Sequence, residues 1–153
     1  MKPNTRDTYL LGLINVVGTN TRWTIGQIRS TLYYGYGEYH TNDWTDAPAD
    51  KKVTASLNYL NDKKFVVEDN SEDIPTLSFT PNIPICLFKY NRPEGATSAF
   101  TGKIYNVKIS QGSEVVMDLI PVRVGTTGYM YDKISGQLFG NSGSGEFILG
   151  QDI

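Results

Sequence analysis

Val53-Thr54-Ala55-Ser56-Leu57-Asn58-Tyr59, followed beyond the Asn61-Asp62 turn by Lys64-Phe65-Val66-Val67, is the stretch whose reading decides the fold. Apolar residues recur at every second position, the spacing of a strand with one buried face, and two such runs joined by turn residues read as a β-hairpin. The window from Asp50 to Leu60 is the best place in the chain for an amphipathic helix, yet it alternates instead of repeating at i, i+3, i+4 and i+7. Helix is therefore expected to be scarce.

The same pattern extends in both directions. Fifteen Gly and seven Pro punctuate the 153 residues, and the segments between them are rich in Val, Ile, Thr, Tyr and Phe. Thr8–Ile14, Arg22–Gly26 and Thr31–Tyr36 read as strands, with turns at Gly18-Thr19-Asn20 and from Gln27 to Ser30. Between Glu38 and Lys52 the apolar periodicity stops, and Thr, Asn, Asp, Pro and Ala predict a long surface loop broken only by Tyr39 and Trp44. Glu68 to Asp73 (EDNSED) reads as an acidic turn. Pro75, Pro81 and Pro84 fence a short segment around Leu77 and Phe79, and Ile85-Cys86-Leu87-Phe88 suits a strand buried on both faces. Asn91 to Gly95 carries turn chemistry. Many short strands must each bury one face, so the expected architecture is an all-β, two-sheet antiparallel sandwich in one domain spanning residues 1–153.

Composition excludes several classes. Fourteen basic against sixteen acidic residues give a net charge of −2, too weak a field to gather nucleic-acid phosphates. No apolar run approaches the ~20 residues of a spanning helix, so no membrane insertion is expected. No signal-peptide core follows Met1. Cys86 stands alone, which excludes an intrachain disulfide, and its apolar neighbours favour an inert buried thiol. His40 is the only histidine, so HExxH and paired-histidine metal sites are absent, and no GxSxG elbow accompanies it.

The last third carries a more specific pattern. Phe100-Thr101-Gly102-Lys103-Ile104-Tyr105-Asn106-Val107-Lys108-Ile109 is followed by Val115 to Val122, then Gly128-Tyr129-Met130-Tyr131-Asp132-Lys133-Ile134-Ser135-Gly136, then Phe139-Gly140-Asn141-Ser142-Gly143-Ser144-Gly145-Glu146-Phe147. Over residues 98–148 this resembles the C-terminal half of the LamG-like, concanavalin A-like lectin/glucanase domains common in gut bacteria and their phages. The resemblance implies a jelly-roll sandwich. Such domains usually open with a strand ahead of a segment like Lys2-Pro3-Asn4-Thr5, so an N-terminal strand missing here would leave a sheet edge open.

Read from the residues, much of that motif is structural. Ile104, Val107 and Ile109 face a core while Lys103 and Lys108 face out; Gly136 sits at a hairpin turn, and the glycines after it suggest repeated positive φ. Asp118, Tyr131, Asp132 and Asn141 then hold turns, because Asp and Asn beside Gly bond their own backbone.

Recognition is left to the loop aromatics. Sugar rings stack an apolar face on aromatic planes while their hydroxyls bond polar groups, so Tyr36, Tyr39, His40, Asn42, Asp43 and Trp44 form the candidate ligand platform, with Trp23 assigned to the core. No cofactor is expected; Ca²⁺ at Glu68, Asp69, Glu72 and Asp73 is the one ion the acidic turn suggests, although the EF-hand spacing is absent. No catalytic residues are assigned, since the ExDxE cluster of the glucanase branch does not occur. The expected function is a non-catalytic binding or adhesion module for glycan or cell-surface polysaccharide on a phage tail or bacterial surface protein, located extracellularly, on a cell surface or on a virion. The alternative is a structural module of a virion or envelope assembly, with protein partners or further copies of itself and no ligand of its own.

Overall fold

The structure, a computed structural model, describes residues 8–15, 21–28, 31–37, 39–40, 45–46, 52–58, 62–75, 84–89, 91 and 102–150. The chain divides into two compact units, Met1–Thr101 and Gly102–Ile153. The described residues contain strands and turns but no helix, and the strands form antiparallel sheets.

The first unit is built on β1 (Thr8–Asn15), β2 (Thr21–Ile28) and β3 (Thr31–Gly37), extended by β4 (Tyr39–His40), β5 (Thr45–Asp46) and β9 (Cys86–Leu87). Its order is β4-β3-β2-β1-β9, with β5 also on β3. A second sheet of three strands comprises β6 (Ala55–Asn58), β7 (Lys64–Val67) and β8 (Asn70–Asp73). The hairpin expected around Asn61-Asp62 forms, with Asn58 opposite Lys64 and Ala55 opposite Val67.

Alternation explains the core. Ile25 of β2 and Leu32, Tyr34 and Tyr36 of β3 meet Phe65 and Val67 of β7 and Ile74, with Trp23, Val53, Ala55 and Leu57 packed around them. The Tyr34 and Phe65 rings lie 4.8 Å apart at 41°, a tilted pairing that adds about 0.5–1.5 kcal/mol to the burial of both rings. The Tyr34 hydroxyl points toward the Asp73 carbonyl at 3.5 Å, which gives its polar end a direction.

The opposite face of β3 is closed as well. Tyr33 pairs with Gly26 and is 0% exposed, and Thr24, opposite Gly35, is also buried. A Cβ on Gly26 would come within 2.5 Å of the Tyr33 ring, so glycine is what lets that ring lie on β2. β3 is thus a strand buried on both sides.

Several expectations need correction. Gln27 and Ile28 continue β2 up to the pairing of Ile28 with Thr31 rather than starting a turn. The Glu38–Lys52 segment is not loop throughout, because β4 and β5 supply the backbone partners that the outer edge of a buried β3 requires. The acidic stretch is a two-residue turn at Glu68-Asp69 followed by β8, with Glu68 at φ +50° and its amide donating to the Thr54 carbonyl at 3.0 Å. Cys86 lies in a two-residue strand at the end of the sheet and is half-buried, while Ile85 is exposed, so that apolar run is not enclosed on both faces. The Lys2–Thr5 segment, the Gly18–Asn20 turn, the segment around Leu77 and Phe79, most of the Asn91–Gly95 turn, and Phe100-Thr101 lie outside the described residues.

The second unit is a meander of β10 (Val107–Gln111), β11 (Glu114–Val124), β12 (Thr127–Asp132) and β13 (Leu138–Phe139) in that order. Gly112 and Gly125, at φ +64° and +63°, open two-residue turns that join long partners closely. Pro121 falls on β11 beyond the end of its pairing with β10, where a missing N–H leaves no ladder position empty on that side.

Replacing Gly26 by Ala is expected to destabilise the chain by about 1–3 kcal/mol through overpacking against Tyr33, read as a lower urea midpoint at unchanged slope. A variant within about 0.5 kcal/mol of wild type would contradict that packing.

Candidate functional site

The expected ligand platform maps onto the outer edge of β3. β4 places Tyr39 opposite Tyr36 and His40 opposite Gly35, while β5 places Asp46 opposite Thr31 and Thr45 opposite Leu32. The chain between β4 and β5 is therefore anchored to one strand at both of its ends. Asn42, Asp43 and Trp44 lie in that interval and outside the described residues; of Tyr39 and His40 only the backbone pairing is described. Tyr36 is a correction: it is 2% exposed, because even-numbered residues of β3 face the core, so its ring packs rather than meeting ligand. Trp23 packs against the core as expected.

In the second unit Asp132 and Asn141 do hold turns. Asp132 is buried and accepts from the Ser135 hydroxyl at 2.6 Å, the Asp118 amide at 2.9 Å, and the Ile134 and Ser135 amides at 3.2 Å each. The Ser135 hydroxyl and then the Asp118 amide do most to lower its pKa to about 2, with the Ile134 and Ser135 amides adding to them and burial acting the other way. Around it, the Gly136 amide donates to the Asp132 carbonyl at 2.8 Å, with Gly136 at φ +73° as expected for the hairpin turn. Asp118 pairs with Lys133 at 2.8 Å and more distantly with Lys108 at 3.8 Å. Among the described residues no group of three or more His, Cys, Asp or Glu is placed to hold a metal ion.

Beyond this hairpin the chain makes a second loop that the sequence reading explained differently. Asn141 accepts from the Gly143 amide at 3.1 Å and donates its side-chain amide to the Gly145 carbonyl, locking the Ser142–Ser144 turn. Gly140, Gly143 and Gly145 are not at left-handed φ. Close packing does not demand glycine there either: a Cβ on Gly140 would lie 3.5 Å from the Tyr129 ring, and one on Gly143 would meet the Asn141 side chain at the same distance, both ordinary van der Waals contacts. The following residues return to the sheet, with Phe147 and Leu149 occupying the space beside Gly128.

An open cleft of about 220 Å³ lies between this loop and β12. Half-buried Tyr129 and Phe147 supply aromatic surface, Glu146 a carboxylate and Thr127 a hydroxyl, over a floor that includes Gly128, Gly140 and Gly145. Sequence reasoning missed it, having treated the whole Gly-rich segment as scaffold. The available signal was the pair of aromatics, Tyr129 and Phe147, that bracket the glycines.

Neither protein-family models, nor curated proteins, nor solved structures match this chain.

The geometry of Asp132 fixes a pH dependence. Its pKa of about 2 in the folded state lies below the ~3.9 of an unfolded aspartate, so its stabilisation is full above about pH 4 and is lost as pH falls toward 2. Asp132→Asn is expected to be less stable at pH 7 and to lack this component of the acid slope in urea melts at pH 4, 3 and 2. Parallel slopes for both proteins would contradict the assignment.

Proposed function

We propose that this chain is a non-catalytic carbohydrate-binding or adhesion module of the LamG-like, concanavalin A-like type, its antiparallel sheets layered as a jelly-roll sandwich across residues 1–153. Support for the class comes from the residues quoted over 98–148 and from the shared core of the six-stranded and three-stranded sheets. The single observation that carries the binding reading is the pairing of both Tyr39-His40 and Thr45-Asp46 with β3, one on each side of Asn42, Asp43 and Trp44 in the sequence. A segment pinned at both ends loses less conformational freedom on meeting a ligand, and this one carries Tyr39, His40, Asn42, Asp43 and Trp44, the aromatic and polar types that recognise sugar rings and hydroxyls. Tyr36, packed in the core, enters only through its backbone pairing with Tyr39. A glycan or cell-surface polysaccharide is the partner, and a phage tail or bacterial surface protein is the setting; no nucleic acid, membrane insertion or cofactor enters the reading.

The assembly reading is favoured by one feature of the second unit. Ile134, Leu138 and Phe139 at the end of the β12–β13 hairpin are exposed, and Ile148 is 100% exposed, more apolar side chain than a short hairpin and tail need to show to solvent. One pair of experiments separates the two. On the binding reading, wild type labels a restricted set of structures on a glycan array, Trp44→Ala and Tyr39→Ala lose that labelling at unchanged circular dichroism, and light scattering gives a monomer. A stable oligomer without glycan labelling at millimolar ligand would replace it with the assembly reading.

A further inference from the structure

We infer that the cleft between Tyr129, Glu146 and Phe147 is itself a binding subsite, for a single neutral sugar ring. This goes beyond the preceding reading, whose residues all lie between Tyr36 and Trp44.

Size comes first. At about 220 Å³ the cleft is below the ~300–1,000 Å³ of sites for drug-sized ligands, so it suits one ring and not an extended chain or a fused cofactor. Its lining then selects the chemistry. Tyr129 and Phe147 are half-buried, Phe147 lying so close to Gly128 that a Cβ there would come within 3.0 Å of it, and they offer apolar surface for the C–H face of a pyranose. Glycine at three lining positions keeps side chains off the floor, so a ligand can approach the main chain closely.

The polar groups decide which ring. Asn141 lines the cleft but both ends of its amide are committed to the Gly143 amide and the Gly145 carbonyl, so it shapes the loop. That leaves the exposed carboxylate of Glu146, an acceptor, and the hydroxyl of Thr127. A carboxylate beside aromatic surface accepts from a pair of ligand hydroxyls through charge-assisted bonds. No Lys or Arg lines the cleft, so a phosphate, a sulfate or a uronate would meet like charge without compensation. The class is therefore a neutral, hydroxyl-rich ring.

The test uses the full-length chain labelled with ¹⁵N, with four probes: methyl β-galactoside, methyl β-glucoside, methyl β-glucuronide and tetramethylammonium. At least one neutral glycoside is expected to shift the amide signals of Gly128, Gly140 and Gly145 together, saturating with a Kd of about 1–10 mM. The glucuronide is expected to leave them unmoved. Glu146→Gln, an exposed position, should weaken the neutral glycoside about tenfold at unchanged fold. Trp44→Ala should leave these shifts intact, which separates this subsite from the Tyr39–Trp44 segment. The inference is overturned by the absence of shifts at all three glycines with both neutral glycosides at about 50 mM, several times the upper Kd. It is equally overturned if tetramethylammonium binds more tightly than either, if the glucuronide binds as well as the neutral rings, if Glu146→Gln has no effect, or if Trp44→Ala abolishes the shifts.

Discussion

Enclosure of β3 is the constraint on which the first unit depends. Tyr33 points to one face and is 0% exposed, Tyr34 and Tyr36 point to the other and are as deeply buried, and β2 occupies one edge along the whole strand. A strand sealed on both faces cannot leave its other edge unpaired, because each buried backbone donor or acceptor without a partner costs roughly 1–3 kcal/mol. β4 and β5 meet that demand at the two ends of β3, and so Tyr39-His40 and Thr45-Asp46 are drawn into the sheet. What binds at that edge, on the reading proposed here, is displayed by a packing requirement of the core.

The second unit follows a different logic. Its four strands are neighbours in sequence joined by turns of few residues, so its ladder is local, with little loop-closure entropy to overcome. Its polar motif residues turn inward on the backbone: Asp132 accepts four bonds within its hairpin and from β11, and Asn141 closes the next turn. With those groups committed, chemistry is left to the side chains that β12 and the following loop display, above all Tyr129, Glu146 and Phe147. Strand β12 and the loop together place two aromatic rings and a carboxylate around glycine backbone.

The strand pattern was legible because alternation reports burial directly. Val53 to Val67 and the TLYYGYG run both announced strands, and the Asp132 and Gly136 turn chemistry was readable from residue type and spacing. Three things were not. Period-two reasoning assigns one face of β3 to solvent, and only tertiary structure reveals that both are covered. Strands of two residues, such as β4, β5 and β9, carry too few positions for any period, and their existence depends on the neighbour's needs. The glycines of the Gly140–Gly145 segment looked like left-handed turn positions, but Gly140, Gly143 and Gly145 are not at positive φ, a distinction that residue type alone does not carry. The candidate contacts fared likewise: Tyr36 shares its residue type with Tyr39, and only the direction of its side chain makes it core.

Amide hydrogen exchange on the intact chain tests the enclosure of β3 most directly. If β3 is sealed on both faces, paired with β2 along one edge and with β4 and β5 at the two ends of the other, the amides of Tyr33 to Tyr36 will exchange only through global unfolding, with a free energy equal to that from urea denaturation, while those of the exposed outer strand β8 exchange through local openings. Exchange of the β3 amides as fast as those of Ser71 and Glu72 would contradict the account.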